Sequence, residues 1–143
     1  MTYGAGGYLP ALWGIHLGYR LPTEKEVKEM GARVVFNFKQ SDDLYLCLYS
    51  HWGEGSCLED LATALDKARG RWDDETYCSR IIISSIIGEE WNQETGYGLW
   101  ASTELCTSET WIQIDLKENT VLAIDGEHSF EDFVSYHMKK VTA

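Results

Sequence analysis

The chain has 143 residues, 44% of them apolar and 24% charged, which fits one globular domain with its own hydrophobic core. Its 12 Lys and Arg stand against 23 Asp and Glu, for a net charge of -11. That balance excludes non-specific binding to duplex nucleic acid, which needs many cationic phosphate contacts, and docking on an anionic membrane.

The acids fall in short dispersed pairs, Asp42-Asp43, Asp73-Asp74 and Glu89-Glu90, the pattern of a solvated surface; mimicry of nucleic acid is also compatible with it. Aromatics reach 13%, with six Trp and eight Tyr. They suit either core and hairpin packing or a surface where rings stack on a ligand. No apolar run approaches a membrane span, and the first residues lack the regions of a signal peptide, so a cytoplasmic protein is expected. Cys47, Cys57, Cys78 and Cys106 have no metal-type spacing and lie in or beside apolar segments, where reduced, buried thiols are expected.

Along residues 1–32, Gly4, Gly6, Gly7, Gly14 and Gly18 are interleaved with Tyr3, Tyr8, Trp13 and Tyr19. This reads as an irregular aromatic arm that must bury its rings on the body or on another subunit. A short helix follows, with Thr23 as N-cap, Glu26 completing a capping box and Gly31 as the stop. Residues 33–143 read as a single α+β domain.

Strands are predicted at 33–39 and 44–50, joined as a hairpin by Gln40-Ser41-Asp42-Asp43. A period of two puts Leu44, Leu46, Leu48 and Ser50 on one face and Tyr45, Cys47, Tyr49 and His51 on the other. Residues 57–69 form a helix capped by Ser56, with Glu59 completing a box and Leu58, Leu61, Ala62, Leu65 and Ala68 as its apolar stripe. At about 100° per residue the stripe also takes in Arg69, unless Gly70 ends the helix first and Arg69 reaches solvent. Asp73 or Asp74 opens the next segment, through Gly88. Its β-branched run leaves strand or helix open, and the preceding acids favour a helix buried nearly all round.

Gly96 and Gly98 open a loop or short strand. Residues 110–116 and 120–125 pair as a second hairpin, and Ser129 caps a last helix at 130–138 with Phe130, Phe133, Val134 and His137 on one side. The expected fold is α+β: two antiparallel hairpins, or one mixed antiparallel sheet, packed against two central helices and a C-terminal helix.

His16, His51, His128 and His137 are scattered without an HExxH or HxH pair, so neither a metal site nor a cofactor is expected. GxSxG and the phosphate loop GxxxxGK[ST] are absent. Ser50 and His51 point to opposite faces of their strand and cannot act as a pair. Binding suits the residues best. Tyr49, Trp52, Trp72 and Tyr77 offer flat faces for a base, Arg69, Arg71 and Arg80 offer forked donors for phosphate, and His51 offers a hydrogen bond to phosphate or sugar. Thr95, Gly96, Tyr97 and Gly98 would close over the ligand as a lip. The competing structural reading buries Trp52 and Trp72 and pairs the arginines with Asp73, Asp74 and Glu75.

Tyr49-Ser50-His51-Trp52-Gly53, the helix at 58–65, Arg71-Trp72-Asp73-Asp74, Tyr77, Arg80-Ile81-Ile82 and Glu94-Thr95-Gly96-Tyr97-Gly98 resemble, in order and spacing, a family of small bacteriophage proteins. The resemblance covers about 33–125 and implies a small phage protein made in the host cytoplasm. Phages there deploy proteins that sequester nucleotide immune signals and others that block defence enzymes. Joined to the rings and arginines, this gives an expected function. The protein would be a non-enzymatic sponge for a small anionic nucleotide ligand, such as a cyclic dinucleotide or cyclic ADP-ribose species, acting as a homo-oligomer. The rivals are an enzyme cleaving such a signal with His51 as acid or base, and an acidic inhibitor of a host defence protein.

Overall fold

A computed structural model describes residues 33–51, 54–108 and 110–138. The expected arm and short helix, and Trp52, lie outside the described residues. The chain order is β1 (Val34–Lys39), β2 (Tyr45–Ser50), α1 (Cys57–Lys67), α2 (Glu75–Ile87), β3 (Tyr97–Ser102), β4 (Thr110–Asp115), β5 (Thr120–Ala123), β6 (Gly126–Ser129) and α3 (Phe130–His137). The strands form one sheet in the order β3-β2-β1-β4-β5-β6, so the protein is α+β as its sequence implied. Both predicted hairpins are present, β1–β2 and β4–β5.

Two features depart from the sequence reading. β6, the second-to-last element, was not assigned from the sequence, because Gly126-Glu127-His128-Ser129 carries no β-branched or aromatic signal. The two hairpins are also joined into one sheet by a parallel pairing of β1 with β4, in register from Val34 with Thr110 to Lys39 with Asp115.

All three helices cover one face. Strand alternation turns Val34, Phe36 and Phe38 of β1, Leu48 of β2 and Ile112 and Ile114 of β4 toward Leu61, Leu65, Ile82, Phe130 and Phe133. Asp74 caps α2 by accepting from the Tyr77 N–H at 3.2 Å, and Ser129 caps α3 by accepting from the Asp132 N–H at 3.0 Å. The predicted box on α1 does not form. The Ser56 hydroxyl donates instead to the Asp60 carboxylate at 2.8 Å, after a short 3-10 turn, Glu54–Ser56. The isoleucine-rich segment is a helix, but only one side of it is deep: Ile82, Ile83 and Ile87 are buried, whereas Ile81 and Ile86 are half-buried and Arg80 is exposed.

On the other face of the sheet, Asn37 is fully buried in the middle of β1. Its Nδ2 donates to the carbonyls of Cys106 (3.1 Å) and Ile112 (3.3 Å), and its Oδ1 accepts from the Cys106 N–H (2.9 Å) and the Cys47 thiol (3.4 Å). One amide thus satisfies both of its polar atoms and fastens the chain around Cys106 onto the sheet. All four cysteines are free thiols; Cys47, Cys57 and Cys78 are buried and Cys106 is half-buried. Burial, and then the neighbouring Cys106, pushes the Cys47 thiol up to about 12, and burial with Asp74 pushes Cys78 to about 11. Among the described residues, no helix is long and apolar enough to cross a membrane.

Candidate functional site

Three chain segments end side by side at one end of the sheet. Val34 pairs with Ser50, and Ser50 with Tyr97. One residue further, the same registers set Arg33, His51 and Gly96 in a row. The His51 N–H donates to the Gly96 carbonyl at 2.8 Å, and Gly96 adopts φ 105, a backbone conformation that favours glycine.

The period of two puts Tyr49 and His51 on the same face, as the sequence indicated. The Tyr49 hydroxyl lies 2.9 Å from His51 Nδ1 and the ring centroids are 6.2 Å apart. Gly98 is the cross-strand neighbour of Tyr49, and a Cβ there would sit 3.9 Å from the Tyr49 Cβ. Glycine therefore leaves the flank of Tyr49 clear on the β3 side. Thr95 is exposed, while Tyr97 is half-buried and turned to the helix face, where burial raises its phenol against the opposing effect of the Ser50 hydroxyl.

Arg33 is the residue that sequence reasoning missed. It stands at the start of a strand and belongs to no motif. It is half-buried, and its Nε is buried with no hydrogen-bond partner among the described residues. Burial, followed by the Arg33 charge, lowers the His51 pKa, so its imidazole is held neutral. A buried guanidinium N–H without an acceptor is costly, and an anion placed there would remove the cost.

Arg69, Arg71, Trp72 and Tyr77 lie toward the opposite end of the sheet, and Arg80 lies midway along α2. The Ser41 N–H and hydroxyl donate to the Glu75 carboxylate at 2.9 and 2.7 Å, which ties the start of α2 to the β1–β2 turn. Asn119, in the β4–β5 turn at that same end, donates to the Trp72 carbonyl at 2.9 Å. The 11 residues of α1 carry the chain about 16 Å from the His51 end before Arg69 is reached. Among the described residues, the helix thus separates Arg69, Arg71 and Trp72 from Tyr49 and His51.

Arg69 is not on the buried stripe, because α1 stops at Lys67 and a 3-10 turn, Arg69–Arg71, follows. It pairs with Glu131 and with Asp66 at 3.1 Å, rather than with Asp73, Asp74 or Glu75, and lies 4.7 Å over the Trp72 ring. The Glu131 and Asp66 hydrogen bonds raise its pKa. Trp72 is half-buried, donating through Nε1 to the Leu65 carbonyl at 2.9 Å and meeting Phe130 edge-on at 5.3 Å. Arg71 sits 4.9 Å over the ring of Tyr77 on the surface, and Arg80 is exposed on α2. Trp52 lies outside the described residues.

The fold also gathers two of the scattered histidines. Asp125 occupies the two-residue turn between β5 and β6, and His128 lies on β6. α3 then folds back along β6, and its eight residues, about 12 Å, nearly match the four-residue strand, about 13 Å. His137, in the last turn of α3, therefore returns to Asp125. Its Nε2 is 2.7 Å from Asp125 Oδ2, and the Nε2 of His128 is 3.3 Å from the same oxygen. Burial alone would raise the Asp125 carboxyl, but the His137 hydrogen bond and the two imidazoles outweigh it and hold the pKa below its ordinary value. The spacing Asp-x2-His-x8-His signals this cluster only once β6 and α3 are known to run back to back.

Comparison with protein-family models, with curated proteins and with solved structures found no match to this chain.

Proposed function

We propose that the protein is a non-enzymatic binder of a small anionic, ring-bearing ligand, gripped at the end of the sheet by Arg33 and His51. The observation that carries this reading is the buried Nε of Arg33, without a partner among the described residues, beside an imidazole whose pKa is lowered. A phosphate oxygen would accept from that Nε and give His51 a negative neighbour. In the tautomer whose Nδ1 accepts from Tyr49, Nε2 carries the imidazole proton and would donate to the same group. Tyr49 adds an aromatic ring, Gly98 leaves space beside it, and residues 95–98 form the lip. Arg69 and Trp72, engaged by Glu131, Asp66, Leu65 and Phe130, are left out of the site. In the phage setting that the motifs suggest, the ligand would be a nucleotide immune signal such as a cyclic dinucleotide or cyclic ADP-ribose species, and the protein its sponge.

A panel of nucleotides screened by thermal shift tests this. A ligand at 100 times its dissociation constant adds about 2.7 kcal/mol to the wild type. Arg33→Ala should lose about half or more of that gain. Denaturing the complex should return the ligand intact. A converted ligand would instead favour the second reading, a phosphodiester-cleaving enzyme, for which the neutral His51 is a suitable base.

A further inference from the structure

We propose that Asp125, His128 and His137 form a binding site for one divalent first-row transition-metal ion of the zinc type, independent of the Arg33 site. It lies by β6, at the far edge of the sheet from β3.

The donor atoms converge. The two imidazole nitrogens and the carboxylate oxygen all lie within 4.8 Å of one another. Zinc bonds of about 2.0–2.2 Å set tetrahedral donors about 3.3 Å apart. The His128 Nε2 stands 3.3 Å from Asp125 Oδ2, and the 2.7 Å hydrogen bond from His137 need open by only about half an ångström.

A second observation comes from what the cluster leaves unsatisfied. The His128 Nε2 is buried and makes no well-aligned hydrogen bond among the described residues, although the carboxylate lies 3.3 Å away. Two imidazoles compete for one oxygen, and Asp125 satisfies only His137 well. A cation at the centre would turn both nitrogens and the oxygen into ligands and remove the conflict. The rings are already placed for it: Phe133 packs against His128 at 6.0 Å and His137 at 4.6 Å, and Tyr136 stacks on His128 at 6.5 Å.

The donor set selects the metal class. Two nitrogens and one oxygen suit zinc, cobalt, nickel or iron(II), whereas magnesium and calcium prefer all-oxygen cages. Three protein ligands leave a fourth tetrahedral position for water, and the partial exposure of Asp125 and His128 keeps it within reach of solvent. The net charge of -11 concentrates cations around the whole molecule.

Full-length protein freed of metal with a chelator should be titrated with cobalt(II). One equivalent should produce the intense visible bands of a tetrahedral site without thiolate charge-transfer absorption, and zinc should displace it. His128→Gln and His137→Gln should each weaken zinc binding, by calorimetry, by about 100-fold or more, the upper end of what losing even an outer-shell partner costs. In the wild type, zinc should shift the imidazole NMR signals of His128 and His137 and leave those of His51 in place, a readout that needs no variant to fold. No zinc binding, equal binding by both glutamine variants, thiolate bands, or imidazole shifts at other histidines would each overturn the proposal.

Discussion

Arg33 stands beside His51 across the β1–β2 pair, one residue past the last paired positions, Val34 and Ser50. The neighbouring guanidinium helps to keep the imidazole neutral, while its own Nε is buried without an acceptor among the described residues. A phosphate oxygen beside both groups would give that Nε its acceptor.

If a phosphate group binds there, Arg33→Ala should weaken nucleotide binding by about 1.5–3 kcal/mol, the usual worth of a charge-assisted hydrogen bond. Arg71→Ala and Arg80→Ala, exposed and set apart from His51 along the helices, should change binding by less than about 0.5 kcal/mol. Isothermal calorimetry on the three variants separates this arrangement from a single large pocket, in which all three would lose affinity together.

The same geometry links binding to protons. The pKa of His51 is lowered in the free protein, and a bound anion should raise it. Binding should therefore take up protons and tighten as pH falls from about 7.5 toward 6. Calorimetry in buffers of different ionisation enthalpy reads the uptake directly. Arg33→Ala should remove part of the pKa depression, visible as an upward shift of the His51 midpoint by NMR.

His51 also contributes to the pH dependence of stability. Its folded pKa lies below the ordinary value of 6.5, so the unfolded chain binds the proton first as pH drops. The contribution is complete above 6.5 and is lost as pH falls through the depressed folded value. Urea denaturation of the wild type and His51→Gln should show the wild type losing more stability between pH 7 and 5.

Asn37→Leu should destabilise the fold by about 1–3 kcal/mol, because the Cys106 N–H and carbonyl lose their partner inside the protein. The loss should appear as a lower urea midpoint with the slope unchanged.

Thiol labelling should be ordered by burial. At pH 8, iodoacetamide should modify Cys106 in the folded protein before Cys47 or Cys78, whose thiols are pushed up to about 12 and 11 and are buried. Complete labelling should require denaturant. Mass spectrometry of tryptic peptides gives the order.

Much of the fold is written in the chain. Alternation in Leu46-Cys47-Leu48-Tyr49-Ser50 assigns both faces of β2, and Asp74 and Ser129 cap the helices they were expected to cap. The same alternation brings Tyr49 to His51 and, through the strand register, His51 to Gly96. Other features depend on contacts that no local pattern encodes. Arg33 acquires its meaning only from lying opposite His51. Arg69 and Trp72 look close to His51 along the sequence, but a whole helix separates them. The cluster at Asp125 depends on β6, whose glycine and polar residues read as a loop.

The parallel seam between β1 and β4 has a consequence for biosynthesis. Asn37 and Ile112, bonded across it, are 75 residues apart. Such distant partners make folding slow relative to a chain of local contacts. A nascent polypeptide that has emerged only as far as β3 can pair β1 with β2, but it leaves the other side of β1 bare, an adhesive rim on the ribosome until β4 arrives to seal it.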